Sequence, residues 1–177
     1  MTDKIEIIQG DITTQHVDAI VNAANNSLFG GGGVDGAIHR AAGPKLLEEC
    51  KQLEGCETGK AKITSAYLLP AKWVIHTVGP VWYGGDRNED EQLASCYSSS
   101  FSYVKRNALK TIAFPSISTG AYRFPIDQAS KIALQETRKF LMTDPEDSEP
   151  LTILFVCFSR SDVKSYQESF IEVFSQT

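Results

Sequence analysis

Four consecutive glycines, residues 30–33, stand between a strand-like apolar run and a segment of helical period. Each glycine gives up roughly 0.5 to 1 kcal/mol of backbone entropy against alanine, so such a run is kept where the chain must take positive φ or approach something closely. The stretch Val21-Asn22-Ala23-Ala24-Asn25-Asn26-Ser27-Leu28-Phe29 leads in, and Val34-Asp35-Gly36 leads out. Strand, glycine loop and helix N-terminus in that order aim unpaired backbone N–H groups and the positive end of a helix dipole at one spot. Phosphate is held that way without lysine.

The rest of the chain repeats the pattern on a larger scale. Apolar runs bounded by turn residues predict strands over 5–9, 19–23, 63–66, 73–78, 111–115 and 151–158. Segments of helical period predict helices over 36–42, 44–53, 90–107, 125–142 and 162–174. The last carries Val163, Tyr166, Phe170, Val173 and Phe174 on one stripe, with Lys164 and Glu168 facing water. Alternation of this kind predicts an α/β sandwich. A chain of 177 residues suffices for one domain spanning 1–177. The acidic stretch 144–150 reads as an exposed loop.

Two nucleotide motifs fail against these loops. Gly31, Gly33 and Gly36 satisfy GxGxxG, but in a dinucleotide fold the first glycine directly follows the first strand, whereas here residues intervene after a second one. The run Gly55-Cys56-Glu57-Thr58-Gly59-Lys60-Ala61 is one residue short of a Walker loop and ends in alanine where a magnesium-binding hydroxyl belongs.

A second strand-to-helix junction supplies Ser118, Thr119 and Gly120, whose hydroxyls and open backbone suit a second phosphate. Two such loops at the carboxyl ends of strands suggest a diphosphate. Asp11 follows the first strand, where it can cap a turn or accept a hydrogen bond from an adenine amino group or a ribose hydroxyl. Phe158 closes the last strand, placed to pack in the core or to stack on a base. His39 and His76 read as structural histidines, and no chemistry is assigned to them.

A net charge of -5 argues against a broad hold on nucleic-acid phosphates. No apolar run approaches the roughly 20 residues of a membrane span, and the first residues lack a secretory pattern. A cytoplasmic protein without membrane partners is expected. The cysteines Cys50, Cys56, Cys96 and Cys157 form no CxxC pair, and the three histidines add no ligand spacing. They are expected as reduced thiols, with neither a metal site nor a cofactor.

The residues closely resemble the macrodomain family, in particular its MacroD-type branch. The likeness is carried by Gly10-Asp11-Ile12-Thr13, by the run from Asn22 through Gly43, by Thr58-Gly59-Lys60-Ala61-Lys62-Ile63-Thr64, by Val74-Ile75-His76-Thr77-Val78-Gly79-Pro80, and by residues 114–125. It spans nearly the whole chain, leaving only the acidic loop and the C-terminal helix without diagnostic residues. The resemblance implies a three-layer α/β/α sandwich around a mixed, mostly parallel six-stranded sheet, with ADP-ribose in a cleft across the strand ends. By that likeness Asp11 would bind the adenine amino group, the Ile12 backbone would assist, and Phe158 would flank the base. Gly31, Gly32, Gly33 and Val34 would wrap the diphosphate together with Ser118, Thr119, Gly120, Ala121 and Tyr122, with Asn22 also at the ligand.

The same resemblance puts Asn25 and Asp35 beside the distal ribose. Asp35, in the first turn of its helix, would orient a water for attack on an ester carbonyl, while Asn25 would hold the ribose hydroxyls. A water activated by the substrate's own diphosphate is a rival route, and Tyr122 would confine the water in either case. The implied activity is metal-independent hydrolysis of O-acetyl-ADP-ribose and of ADP-ribosylated proteins carrying the modification on Asp or Glu. A non-catalytic ADP-ribose reader is the alternative, for which the loops suffice and the Asn25 and Asp35 pair does not matter.

Overall fold

The computed structural model describes residues 1–143 and 150–175. The acidic loop expected over 144–150 therefore lies, apart from Pro150, outside the described residues.

Among the described residues six strands form one sheet: β1 (Ile5–Gln9), β2 (Ala19–Ala23), β3 (Ala61–Ser65), β4 (Trp73–Thr77), β5 (Thr111–Phe114) and β6 (Thr152–Cys157). Their order is β1-β6-β5-β2-β4-β3. Every neighbouring pair runs parallel except β3 with β4. Parallel pairing requires crossovers that cover the faces of the sheet. Helices α1 (Gly33–Ala42), α2 (Pro44–Gln52), α3 (Glu89–Arg106) and α4 (Ile126–Thr143) lie in the connections between strands, and α5 (Arg160–Phe174) follows the last strand.

Side chains alternate between the faces of a strand, so the sheet builds two cores. On one face Val21, Ile75, Phe114 and Phe155 pack against α3, α4 and α5 through Tyr97, Ala133 and Tyr166. On the other, Ile20, Val74 and Val156 pack against α1 and α2 through Ile38 and Leu46. The result is the expected three-layer sandwich. Central strand β2 is buried along almost its whole length, which is why it reads as a continuous apolar run. No helix among the described residues is long and apolar enough to cross a membrane.

Helix α1 begins at Gly33, three residues before the expected start at 36. Glycine has the poorest helix propensity of ordinary residues, so its presence in a first turn masks the helix in sequence. The other boundaries lie within two residues of expectation. At α5 the earlier start follows from Ser159, whose Oγ accepts the Asp162 N–H at 3.1 Å and caps the helix.

The parallel strands β1, β6, β5 and β2 all end on one rim of the sheet. At that rim the Gly10 N–H donates to the Cys157 carbonyl at 3.0 Å, and the Ala24 N–H to the Thr77 carbonyl at 2.9 Å. Asp11, Phe158, the second loop and the glycine loop therefore follow one another along the rim in the order of their strands. Three strand spacings cover about 14 Å.

Candidate functional site

The glycine loop is shaped by Asn25. Its Nδ2 donates to the Gly30 carbonyl at 2.9 Å, and its Oδ1 accepts from Ser27 Oγ at 2.8 Å and the Leu28 N–H at 3.1 Å. The amide thus organises the loop and keeps one N–H for another acceptor. Gly33 takes φ +58 where α1 starts, a conformation that a side chain would strain. Gly36 is held still more closely, since a β-carbon there would lie 2.5 Å from the Gly31 carbonyl oxygen. The helix has Gly32 as its N-cap with no side-chain cap bond, so its first N–H groups have no partner from the capping residue. Gly31, Gly32 and Gly33 are exposed and Val34 is half-buried, which opens that amide cluster to solvent.

Asp35 lies beneath the loop, only 6% exposed. Its Oδ1 accepts Asn22 Nδ2 at 2.8 Å, while His39 Nε2 stands 3.5 Å from the same oxygen. Its Oδ2 faces the loop, 3.3 Å from where a β-carbon on Gly31 would sit. Burial raises the carboxyl's pKa above the ordinary value, against the opposing pull of the Asn22 hydrogen bond and of His39. A carboxylate raised in this way is a better proton acceptor near neutral pH than a solvated one.

Asn22, expected at the ligand, is fully buried and spends its amide on Asp35 and on His76, whose Nδ1 is 3.1 Å away. His76 is fully buried as well, and its Nε2 lies 2.9 Å from Thr64 Oγ1. Burial, with a smaller electrostatic contribution from His39, drives its pKa down to about 3, so the ring is neutral. Both histidines therefore belong to the surroundings of Asp35, which sequence reasoning missed. For His39 a signal existed, because it follows Asp35 by four residues and shares its helix face. For His76 the signal was absent, since it meets Asn22 only through the register of β2 and β4.

The second loop offers its backbone rather than its hydroxyls. Thr119 Oγ1 donates to Ser116 Oγ at 2.7 Å, and the Ser118 hydroxyl is buried against Gly79. Ser118 takes φ +66, and the Phe124 N–H donates to its carbonyl at 2.9 Å, closing the loop on itself. Gly120 and Ala121 are exposed and Tyr122 is half-buried. The Tyr122 carbonyl accepts the Trp82 N–H at 2.8 Å, which ties this loop to the segment after β4.

At the far end of the rim Asp11 caps a 3-10 turn, Ile12–Thr14, the turn-capping role that its place after the first strand allowed. Its Oδ1 accepts both the Thr13 N–H at 2.9 Å and Thr13 Oγ1 at 2.7 Å. Ile12 is buried, so only its backbone can face a ligand. Phe158 lies one residue beyond β6 and is 91% exposed, which removes the core-packing option and leaves a bare aromatic face. Among the described residues no three His, Cys, Asp or Glu side chains gather into a metal-binding group.

Comparison with known proteins places this geometry. The Macro domain profile matches residues 21–133. The human protein named ADP-ribose glycohydrolase MACROD2 is 52% identical over 99% of this chain, which spans 41% of that longer protein. The structure of an Oceanobacillus iheyensis macrodomain with ADP superimposes with a TM-score of 0.90 at 44% identity, covering 98% of this chain and 93% of that one. A Trypanosoma brucei macrodomain in complex with ADP-ribose gives 0.86 at 45% identity, covering 93% of this chain and 68% of that one. With the profile matched over more than half of the chain and relatives this similar along nearly its whole length, the chain belongs to the macrodomain family.

Proposed function

We propose that this chain binds ADP-ribose along the rim formed by β1, β6, β5 and β2 and hydrolyses an acyl ester on the distal ribose. Its substrates on this reading are O-acetyl-ADP-ribose and proteins mono-ADP-ribosylated on Asp or Glu. Asp11 and Phe158 receive the adenine, the backbone of residues 31–34 and 118–122 holds the diphosphate, and the remaining N–H of Asn25 meets the distal ribose. Support comes from the strand order, which lines these groups up in the sequence base, diphosphate, sugar, and from relatives named for ADP-ribose hydrolysis or solved with ADP-ribose.

The observation that carries the hydrolytic reading is the buried Asp35 carboxylate with Oδ2 turned to the loop. A water between Oδ2 and the ester carbonyl gives its proton to Asp35 as its oxygen bonds the acyl carbon. The ester C–O bond then breaks, the ribose oxygen takes that proton from Asp35, which returns to its carboxylate form, and a free carboxylic acid leaves. General-base assistance of this kind contributes about 10² to 10⁴ in rate. A module that only reads ADP-ribose has no use for a desolvated carboxylate at that point.

The test is chromatographic assay of O-acetyl-ADP-ribose hydrolysis by wild type, Asp35→Ala and Asn25→Ala, with calorimetric titration of ADP-ribose into each. Turnover by wild type, a loss of at least about 10² in Asp35→Ala, and ADP-ribose binding retained in that variant are expected. Tight binding by wild type without turnover would establish the reader instead. Full turnover by Asp35→Ala would leave the substrate's diphosphate as the activator of the water.

A further inference from the structure

Asn22 and His76 are register partners on the parallel strands β2 and β4. Their side chains leave the same face of the sheet, beneath α1, and the hydrogen bonds between them have a direction that is fixed from outside. The Ser65 carbonyl can only accept, so Thr64 Oγ1, 3.0 Å away, donates its single proton there. Toward His76 Nε2, at 2.9 Å, the same hydroxyl must then accept, which puts the ring proton on Nε2. Nδ1 is left as a lone pair, and Asn22 meets it at 3.1 Å with one Nδ2 hydrogen. The other Nδ2 hydrogen points at Asp35 Oδ1, 2.8 Å away. An Asn22 flipped end for end would set its carbonyl oxygen against both the lone pair and the carboxylate.

We propose that His76 is a positioning residue: with its proton on Nε2 it orients Asn22, which holds Asp35 Oδ1 and thereby keeps Oδ2 turned toward the glycine loop. The inference rests on the reading of Asp35 as the group that takes the proton from water. A second observation favours it. Asn22 Oδ1 is buried without a hydrogen-bond partner, an unfavourable arrangement for stability alone, and such departures gather where function sets the geometry. The groups facing the His76 ring are Asp35, by way of Asn22, and His39 from α1, Cys50 from α2 with Sγ 3.8 Å from Nε2, and the register neighbour Lys62 from β3. The Lys62 ammonium is held by the Leu53 carbonyl at 2.7 Å, and the Cys50 thiol, raised to about 11 by burial and by the charges of Glu49 and Asp35, stays neutral.

Three variants test this: His76→Phe, His76→Asn and Thr64→Val. The first removes the acceptor that faces Asn22. The second offers an amide oxygen near the position of Nδ1 and restores it. The third frees the ring to move its proton to Nδ1. Each is measured for kcat and KM on O-acetyl-ADP-ribose, for ADP-ribose affinity, for thermal melting, and for the titration of the Asp35 carboxyl by carbon-13 NMR, assigned by difference with Asp35→Asn.

In His76→Phe, kcat is expected to fall about tenfold with ADP-ribose affinity within about twofold of wild type, since only the orientation of a reacting group changes. The Asp35 carboxyl is expected to titrate at higher pH than in wild type, because a released Asn22 no longer favours its charged form. His76→Asn should recover most of both changes, and Thr64→Val should shift both in the same direction as His76→Phe. Should His76→Phe fail to fold, Thr64→Val decides alone. An Asp35 titration unmoved in these variants, or a loss that His76→Asn does not recover, overturns the positioning role. The NMR arm judges that role even if wild type shows no turnover, whereas undiminished turnover in Asp35→Ala would remove the catalytic reading alone.

Discussion

Asp35 Oδ2 lies 3.3 Å from the point where a β-carbon on Gly31 would stand, and the Asn25 amide nitrogen lies 3.5 Å from that same point. One residue of the loop thus touches both groups assigned to the distal sugar, and its missing side chain keeps the space before them open. A methyl there requires the carboxylate to yield by a few tenths of an ångström. Gly31→Ala is therefore expected to lower kcat about tenfold, because small displacements of a reacting group are costly. The residue is exposed, so the melting temperature should stay within about 2 °C of wild type. Hydrolysis assays paired with thermal melts check both halves.

The raised pKa of Asp35 links activity to stability. Its carboxyl is harder to ionise in the folded chain than in the unfolded one, whose reference value is 3.8, so its contribution to stability is fully present below that value and is lost as pH rises through the folded pKa. At neutral pH the buried charge destabilises the fold. Asp35→Asn, which keeps an oxygen for Asn22 to donate to, is therefore expected to melt at or above the wild-type temperature at pH 7 while hydrolysing far more slowly. Below pH 3.8 the difference in melting should vanish. Wild-type kcat should rise with pH through a pKa above 3.8, in step with ionisation of the same group.

Phe158 carries a separate expectation. At 91% exposure it contributes little to the core, and a base stacked on an aromatic ring is worth about 1–3 kcal/mol. Phe158→Ala should weaken ADP-ribose binding by roughly five- to a hundredfold and leave melting unchanged, as read by calorimetric titration and thermal denaturation. A change in stability with no change in affinity would assign the ring to folding instead.

The parts of this molecule visible in its sequence are those that local chemistry dictates. Strands β1 and β2 were legible to the residue because apolar runs end in polar or small residues there. The glycine loop announced itself because four adjacent glycines are kept only under constraint. The start of α1 was hidden for the same reason, since Gly33 in its first turn looks like loop. Asn22 and His76 are separated by 54 positions and meet only through strand register, which no local period records. The inward turn of the Ser118 hydroxyl was equally invisible, because it depends on how closely Gly79 approaches it. Sequence thus marked the two strand-to-helix loops, while the support behind the carboxylate emerged from tertiary packing.

A crystal structure with ADP-ribose bound tests the central claim most directly, through the distance from Asp35 Oδ2 to the distal ribose. Hydrolysis by way of Asp35 requires the diphosphate against the backbone of residues 31–34 and 118–122, and a ribose oxygen within about 6 Å of Oδ2, the reach of one bridging water. A nucleotide bound away from the rim, or a distal ribose turned so that no single water can join it to Oδ2, would contradict that claim.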